Sequence, residues 1–261
     1  ASKLSKYLSP QVYRSIFSGQ KNVQIEANRK KLTVFFSDIK DFTELTDRLE
    51  PEVLSSLLNS YLNEMSKIAL KYGGTIDKFV GDAILIFFGD PETNGEKADA
   101  TSCVLMALEM RERMKFMRQI WEDEGISKPL NIRIGINTGY CNVGNFGSED
   151  RLDYTIIGGE VNLASRLESN ASVGQILVSH ETYSLIKNSI TCEEREEINV
   201  KGLAHKVRTY QVIDKKEKNE KGVTKLKDNY EGFSLSIDLD VSRKAEVIAS
   251  LKNALAKIQK N

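Results

Sequence analysis

Histidine and cysteine are scarce here, with two of the first and three of the second in 261 residues. Cys103, Cys141 and Cys192 lie far apart and form no CxxC pair. Neither a zinc site nor a disulfide framework is indicated, and the usage is that of a reducing compartment. An excess of one charge is also lacking. The 37 basic and 37 acidic residues leave a formal net charge of +0, so no global field draws in nucleic acid and any anion site has to be built locally. Long hydrophobic runs are missing too. No stretch approaches the roughly 20 apolar residues of a membrane span, and the opening "ASKLSKYLSPQ" has no signal-peptide core. A cytoplasmic chain with no membrane span and no nucleic-acid partner is expected. The phosphate loop GxxxxGK[ST] is absent as well, so a bound nucleotide has to be held by scattered side chains.

What is present is 40% hydrophobic content, enough for a full-sized core with appendages. Residues 1–28 read as a helical segment, with Ser9 as N-cap, Pro10 in the first turn, Gly19 at the end and an apolar stripe of Val12, Ile16 and Phe17. "KLTVFFSDI" is a strand. After Pro51 a helix keeps Val53, Leu57, Tyr61, Met65 and Ile68 at helical spacing. "TIDKFVGDAILIFFG" has the pattern of a hairpin turning at Gly81 and Asp82. A helix over 95–121 follows. "LNIRIGINTGYCNVGNFG" then reads as a strand pair broken at Thr138 and Gly139, and "DYTIIGGEVNLASRLES" passes from strand to helix. Further strands are expected at "GQILVS", "TCEEREEINV" and "KVRTYQVID". This order predicts an α+β fold of ferredoxin-like type, an antiparallel sheet with helices on one face. Residues 215–261 read as a charged linker, a strand "FSLSIDLDV" and an amphipathic helix bearing Ile248, Leu251, Leu255 and Ile258.

Two carboxylates stand out. Asp38 closes an apolar strand and Asp82 sits in the hairpin turn, so adjacent strands would let them face each other. Such a pair suits magnesium, which prefers oxygen ligands and shares its site with phosphate. Turn chemistry alone also explains Asp82, and capping of "DFTELTD" also explains Asp38. In "NLASRLE", Asn162 and Arg166 share one helix face while Leu163 and Leu167 pack inward. The guanidinium matches phosphate oxygens, although pairing with Glu168 is an ordinary alternative. Lys78 and Lys201 read equally as surface lysines.

Taken together, "VFFSDIKDFT", "DKFVGDAILIFF", "RIGINTGYCNVGNFGSEDRLDYTIIGGEVNLASRLE" and "VKGLAHKVRTY" strongly resemble the class III nucleotidyl cyclase catalytic domain, over residues 29–214. The resemblance implies that Asp38 and Asp82 bind two Mg2+ ions per site, with the Ile39 carbonyl as a further ligand and Mn2+ able to substitute. It places Lys78 and Thr155 at the base, Asn162 at the ribose, Arg166 on the transition state and Lys201 on the terminal phosphates. Thr155 stands where many members carry aspartate and where one subgroup, which includes bicarbonate-responsive adenylyl cyclases, carries threonine. Members act as dimers that share their sites and are commonly fused to sensory domains. A homodimer with an upstream sensory domain is therefore implied, with residues 1–28 as the coupling segment.

Hydrogen bonding favours ATP over GTP at such a site. Adenine offers an acceptor at N1 and a donor at N6, matching the Lys78 ammonium and the Thr155 hydroxyl, and guanine reverses both. A hydroxyl also donates, which leaves Thr155 less selective than an aspartate. The expectation is an adenylyl cyclase making cyclic AMP and pyrophosphate. A catalytically silent nucleotide-binding module and a cyclase with guanylyl activity stand as alternatives.

Overall fold

The computed structural model describes residues 8–19, 24–126, 129–148, 150–200, 205–216, 225–230, 233–238 and 244–258. Lys201 and the centre of the charged linker, 217–224, lie outside them. The chain divides into two units, Ala1–Lys216 and Glu217–Asn261.

In the first unit β1 (Ala27–Ile39), β2 (Thr75–Val80), β3 (Ala83–Phe88), β4 (Ile132–Gly147), β6 (Ile176–Ser179), β7 (Ile190–Ile198) and β8 (Val207–Lys215) form one sheet. Its order is β2-β3-β1-β4-β6-β8-β7, and β5 (Leu152–Ile157) pairs with β4 beside that path. The pairs are antiparallel except β4 with β6. This is the expected α+β plan. Successive residues of a strand face opposite sides, and β1 uses both. Phe35 and Ile39 join the large cluster with α3 (Pro51–Lys71), α4 (Glu96–Asp123) and α6 (His180–Ile186). Leu32 and Val34 join a second cluster with Ala164 of α5 (Gly159–Asn170). Helices therefore cover both faces, where the sequence pattern had indicated one.

The supposed break at Thr138 and Gly139 does not exist. β4 runs unbroken, with Thr138 opposite Thr33 and Gly139 opposite Leu32. Gly139 is there for room, because a Cβ on it would lie 2.4 Å from Cδ of Glu160. Gly135 serves the same purpose further along β4. A Cβ there would lie 2.2 Å from both the Ala164 carbonyl oxygen and the Glu168 nitrogen. The two glycines let α5 lie directly on the strand.

Two helical stripes shift from expectation. On α3, Leu57, Tyr61, Met65 and Ile68 are buried while Val53, in the first turn, is exposed. On α1 (Pro10–Phe17), Ser9 caps the helix, its Oγ accepting from the Val12 amide at 3.3 Å. The buried face is Gln11, Val12 and Ser15, whereas Phe17 is 67% exposed. A polar contact sets this rotation, since Gln11 Nε2 donates to the Gly74 carbonyl at 2.8 Å. The short helix α2 (Phe42–Arg48) starts from Asp41, held at φ 57; aspartate is among the residues that tolerate this left-handed region.

In the second unit β9 (Lys225–Tyr230) and β10 (Phe233–Asp238) form an antiparallel pair, and α7 (Lys244–Ile258) follows. Residues 225–230, assigned to the linker from their charge, are thus a strand. Their alternation is weak, and pairing with β10 supplies what the pattern lacks. Among the described residues no helix is long and apolar enough to cross a membrane.

Candidate active site

The β1/β3 pairing brings the hairpin turn to the end of β1. Gly81 takes φ 63, which an L side chain adopts reluctantly, so that Asp82 turns back toward Ile39. Asp82 Oδ2 accepts from the Ile39 amide at 2.9 Å. Burial, and then the nearby Asp38 carboxylate, push the Asp82 carboxyl above its ordinary range, against the Ile39 amide and Arg133. Asp38 is not the cap of α2, which begins at Asp41. It lies opposite Arg133 of β4, whose Nη2 reaches Asp38 Oδ1 at 3.1 Å and Glu168 Oε1 at 2.8 Å. Glu168 is 2% exposed. Burial first, and Asp38 second, push its acid up to about 7, with Arg133 and Ser169 pulling down. Beneath the pair lies the buried hydroxyl of Tyr61, 3.5 Å from Ser37 Oγ. Burial raises the Tyr61 phenol, and both aspartates add to the rise.

Two crowded oxygen acids with a backbone carbonyl beside them fit a hard divalent cation. A cation would offset the burial and the neighbouring Asp38 charge that together raise Asp82. Among the described residues no cluster of three or more His, Cys, Asp or Glu side chains forms a metal cage.

On α5, Asn162 and Arg166 are both exposed. Among the described residues neither side chain has a hydrogen-bond or ion-pair partner. The alternative pairing of Arg166 with Glu168 is not formed, because Glu168 points inward to Arg133. Leu167 is fully buried and Leu163 packs beside it, as the spacing predicts.

Lys78 and Thr155 meet through a residue that the sequence pattern did not single out. The β2/β3 register shifts between Ile76 and Lys78, leaving Asp77 in a bulge. Its side chain is 1% exposed and ion-pairs with the Lys78 ammonium at 3.3 Å through Oδ1. Its Oδ2 accepts from the Thr155 hydroxyl at 2.7 Å and from the Ile156 amide at 3.1 Å. Burial raises the Asp77 carboxyl, while these three donors pull it down. Next to Thr155, Tyr154 donates its hydroxyl to Asp90, a wholly buried carboxylate that also pairs with Lys30. A cavity of about 260 Å3 opens here, with Lys78, Asp77 and Tyr154 on one side and Ser9 and Val12 at the start of α1 on another.

Arg133, Glu168 and Asp77 are the site residues that sequence reasoning missed. Each left a faint sign, namely a charge within the apolar "NIRIGIN", an acid closing "NLASRLE" and an acid beside Lys78.

An acid pair that fits a divalent cation, an exposed Asn/Arg face and a Lys/Thr cluster thus lie on one α+β sheet. The profile of the "Adenylate and Guanylate cyclase catalytic domain" family matches residues 25–214. The chain belongs to this family, the class III nucleotidyl cyclases. The solved adenylyl cyclase CyaB from P. aeruginosa is 65% identical, covers 73% of this chain and 97% of its own, and superposes with a TM-score of 0.71. The solved guanylyl cyclase Cya2 is 34% identical over 75% of this chain and 98% of its own, with a TM-score of 0.70. The terminal-differentiation-specific adenylate cyclase of Dictyostelium discoideum is 36% identical over 80% of this chain. The chain spans 10% of the length of that Dictyostelium protein.

Proposed function

We propose that this chain converts ATP to 3′,5′-cyclic AMP and pyrophosphate at sites shared between two copies of itself. The observation that supports this most is the state of α5. Asn162 and Arg166 stand exposed without partners among the described residues, while the acid pair at Asp38 and Asp82 has a cationic neighbour in Arg133. An unpaired cationic face and a separate acid pair are what two halves of a phosphoryl-transfer site need if a second chain completes each.

In this reading the ribose 3′-oxygen attacks the α-phosphorus in line. The new O–P bond forms as the bond to pyrophosphate breaks, and the hydroxyl proton passes to solvent. Asp38, Asp82 and the Ile39 carbonyl would hold two Mg2+ ions, or Mn2+ in their place. When bound, such ions acidify the attacking hydroxyl and neutralise the phosphates. Asn162 orients the ribose and Arg166 donates to the oxygens on which charge develops. Lys78 donates to adenine N1, Thr155 accepts from N6, and Lys201 meets the terminal phosphates. The same reading takes the chain as a cytoplasmic effector with an upstream sensory domain, and α1 beside the base cluster as the segment through which that domain acts.

The test is product formation by the purified chain with ATP and GTP in parallel, with Mg2+ or Mn2+, beside Asp38→Ala. Cyclic AMP from ATP, lost in the variant, is expected. No product from either nucleotide, at concentrations where the chain is shown to be dimeric, overturns the catalytic reading in favour of a silent module.

A further inference from the structure

A hydroxyl is an ambiguous reader of a purine edge, because it accepts from an amino group and donates to a carbonyl with equal ease. The surroundings of Thr155 remove that ambiguity. Its hydroxyl lies 2.7 Å from Asp77 Oδ2, and an ionised carboxylate has no proton to offer in return. Burial raises the Asp77 carboxyl, and the Ile156 amide at 3.1 Å on the same oxygen and the Lys78 ammonium at 3.3 Å on the other oppose that rise in favour of the ionised form. The contact therefore has one direction: Thr155 gives its proton to Asp77 and keeps lone pairs for whatever else approaches.

We propose that Asp77 is a specificity-positioning residue, which by taking the Thr155 proton makes that hydroxyl an acceptor and so selects an amino group over a carbonyl at purine position 6. The inference rests on the reading that Lys78 and Thr155 face the base. The bulge at Asp77 is what makes the device possible. In regular alternation Asp77 and Lys78 would point to opposite faces of β2, whereas the bulge re-aims one side chain and lets a single carboxylate reach both base-reading residues. Tyr154, held by Asp90, anchors the same stretch of β5 on the other side of Thr155. The geometry of the lock is thereby fixed before any nucleotide arrives, which is where a discriminating hydrogen bond gains most.

The experiment measures kcat/KM for ATP and GTP, with binding of fluorescent ATP and GTP analogues as a readout independent of turnover. It compares the wild-type chain with Asp77→Ala, Asp77→Asn, Thr155→Val and the double variant Asp77→Ala/Thr155→Val. Asp77→Ala frees the Thr155 proton to meet a guanine carbonyl, so the ATP:GTP ratio is expected to fall on the order of tenfold, as for loss of one discriminating hydrogen bond. Asp77→Asn keeps an acceptor oxygen for Thr155 and Ile156, and is expected to retain most of the discrimination. With Thr155→Val in place no proton remains to be fixed, so adding Asp77→Ala leaves the ratio unchanged. If Asp77→Ala does not fold, Asp77→Ser replaces it. Its hydroxyl gives and takes a proton alike, and the ratio is expected to move in the same direction.

Equal losses with both nucleotides in Asp77→Ala, alongside a changed ratio in Thr155→Val, would show a structural role and overturn the lock. A ratio that still falls when Asp77→Ala is added to Thr155→Val would place the effect on Lys78 and overturn it equally. If neither Thr155→Val nor Lys78→Ala moves the ratio or the analogue affinity, the base-site reading fails, and the inference falls with it for that separate reason.

Discussion

Replacing Gly135 by alanine tests whether α5, the helix that bears Asn162 and Arg166, is placed by backbone contact with β4. The added methyl group would sit 2.2 Å from the Ala164 oxygen and from the Glu168 nitrogen, with Glu168 Cα at 3.0 Å. Ordinary contact begins at 3.4 Å, so helix and strand have to separate by more than 1 Å. These are backbone atoms in the middle of α5, and no rotamer change can relieve them. Overpacking of this kind costs about 3 kcal/mol, at the upper end of the usual range because the clash is with main chain. For a domain of this size that corresponds to a fall in Tm of about 6–12 °C. The movement also shifts Asn162 and Arg166 relative to the acid pair of the second copy in the proposed shared site, and a displacement of about 1 Å costs on the order of 100-fold in rate. Thermal melting followed by circular dichroism and the cyclic AMP assay read the two effects separately. A variant that melts within about 1 °C of wild type and turns over normally would refute the argument that α5 is seated through Gly135.

Four further outcomes are expected. Arg166→Ala lowers kcat on the order of 100-fold or more with little effect on melting, since its exposed head makes no hydrogen bond or ion pair among the described residues. An equal mixture of Arg166→Ala and Asp38→Ala chains, each inactive alone, recovers about a quarter of the wild-type rate, because half the dimers are mixed and each holds one intact site; no recovery under exchange conditions refutes the shared site. Asp82→Asn keeps an acceptor for the Ile39 amide but removes the repulsion with Asp38, so without divalent ions it melts above wild type while losing activity and the Mg2+-dependent rise in Tm. The thiols stay quiet as well: burial raises Cys103 far above the usual range, Cys141 up to about 12 and Cys192 up to about 11. A raised pKa means less thiolate at pH 8, so a disulfide reagent modifies the folded chain slowly and all three cysteines only on unfolding; rapid labelling of two or more would contradict the fold.

How much of this was legible in the sequence depends on the kind of signal. Strands and long helices follow from periodicity, and α3 kept four of its five stripe residues in the core. Gly139 failed because a glycine looks the same in a sequence whether it turns the chain or makes room for a neighbour. Here it makes room for Glu160, a residue more than 20 positions later that no local pattern connects to it. Residues 225–230 failed because a short charged strand depends on its partner for definition. The candidate site divides the same way. Asp38 and Asp82 were visible because each ends or turns a strand.

Arg133, Glu168 and Asp77 were hidden because their roles depend on register. Asp38 faces Arg133 only through the β1/β4 pairing, and Asp77 turns inward only through a bulge. These hidden residues hold the visible ones in place. Arg133 joins the acid of β1 to the buried acid of α5, so the strand that ends in Asp38 and the helix that bears Asn162 and Arg166 are tied by the same guanidinium. Asp77 ties β2 to β5 in the same manner, through Lys78 on one strand and Thr155 on the other. Each junction crosses between elements far apart in the chain. Both are therefore products of the fold, and a reading confined to neighbouring residues finds the candidate groups before it finds what positions them.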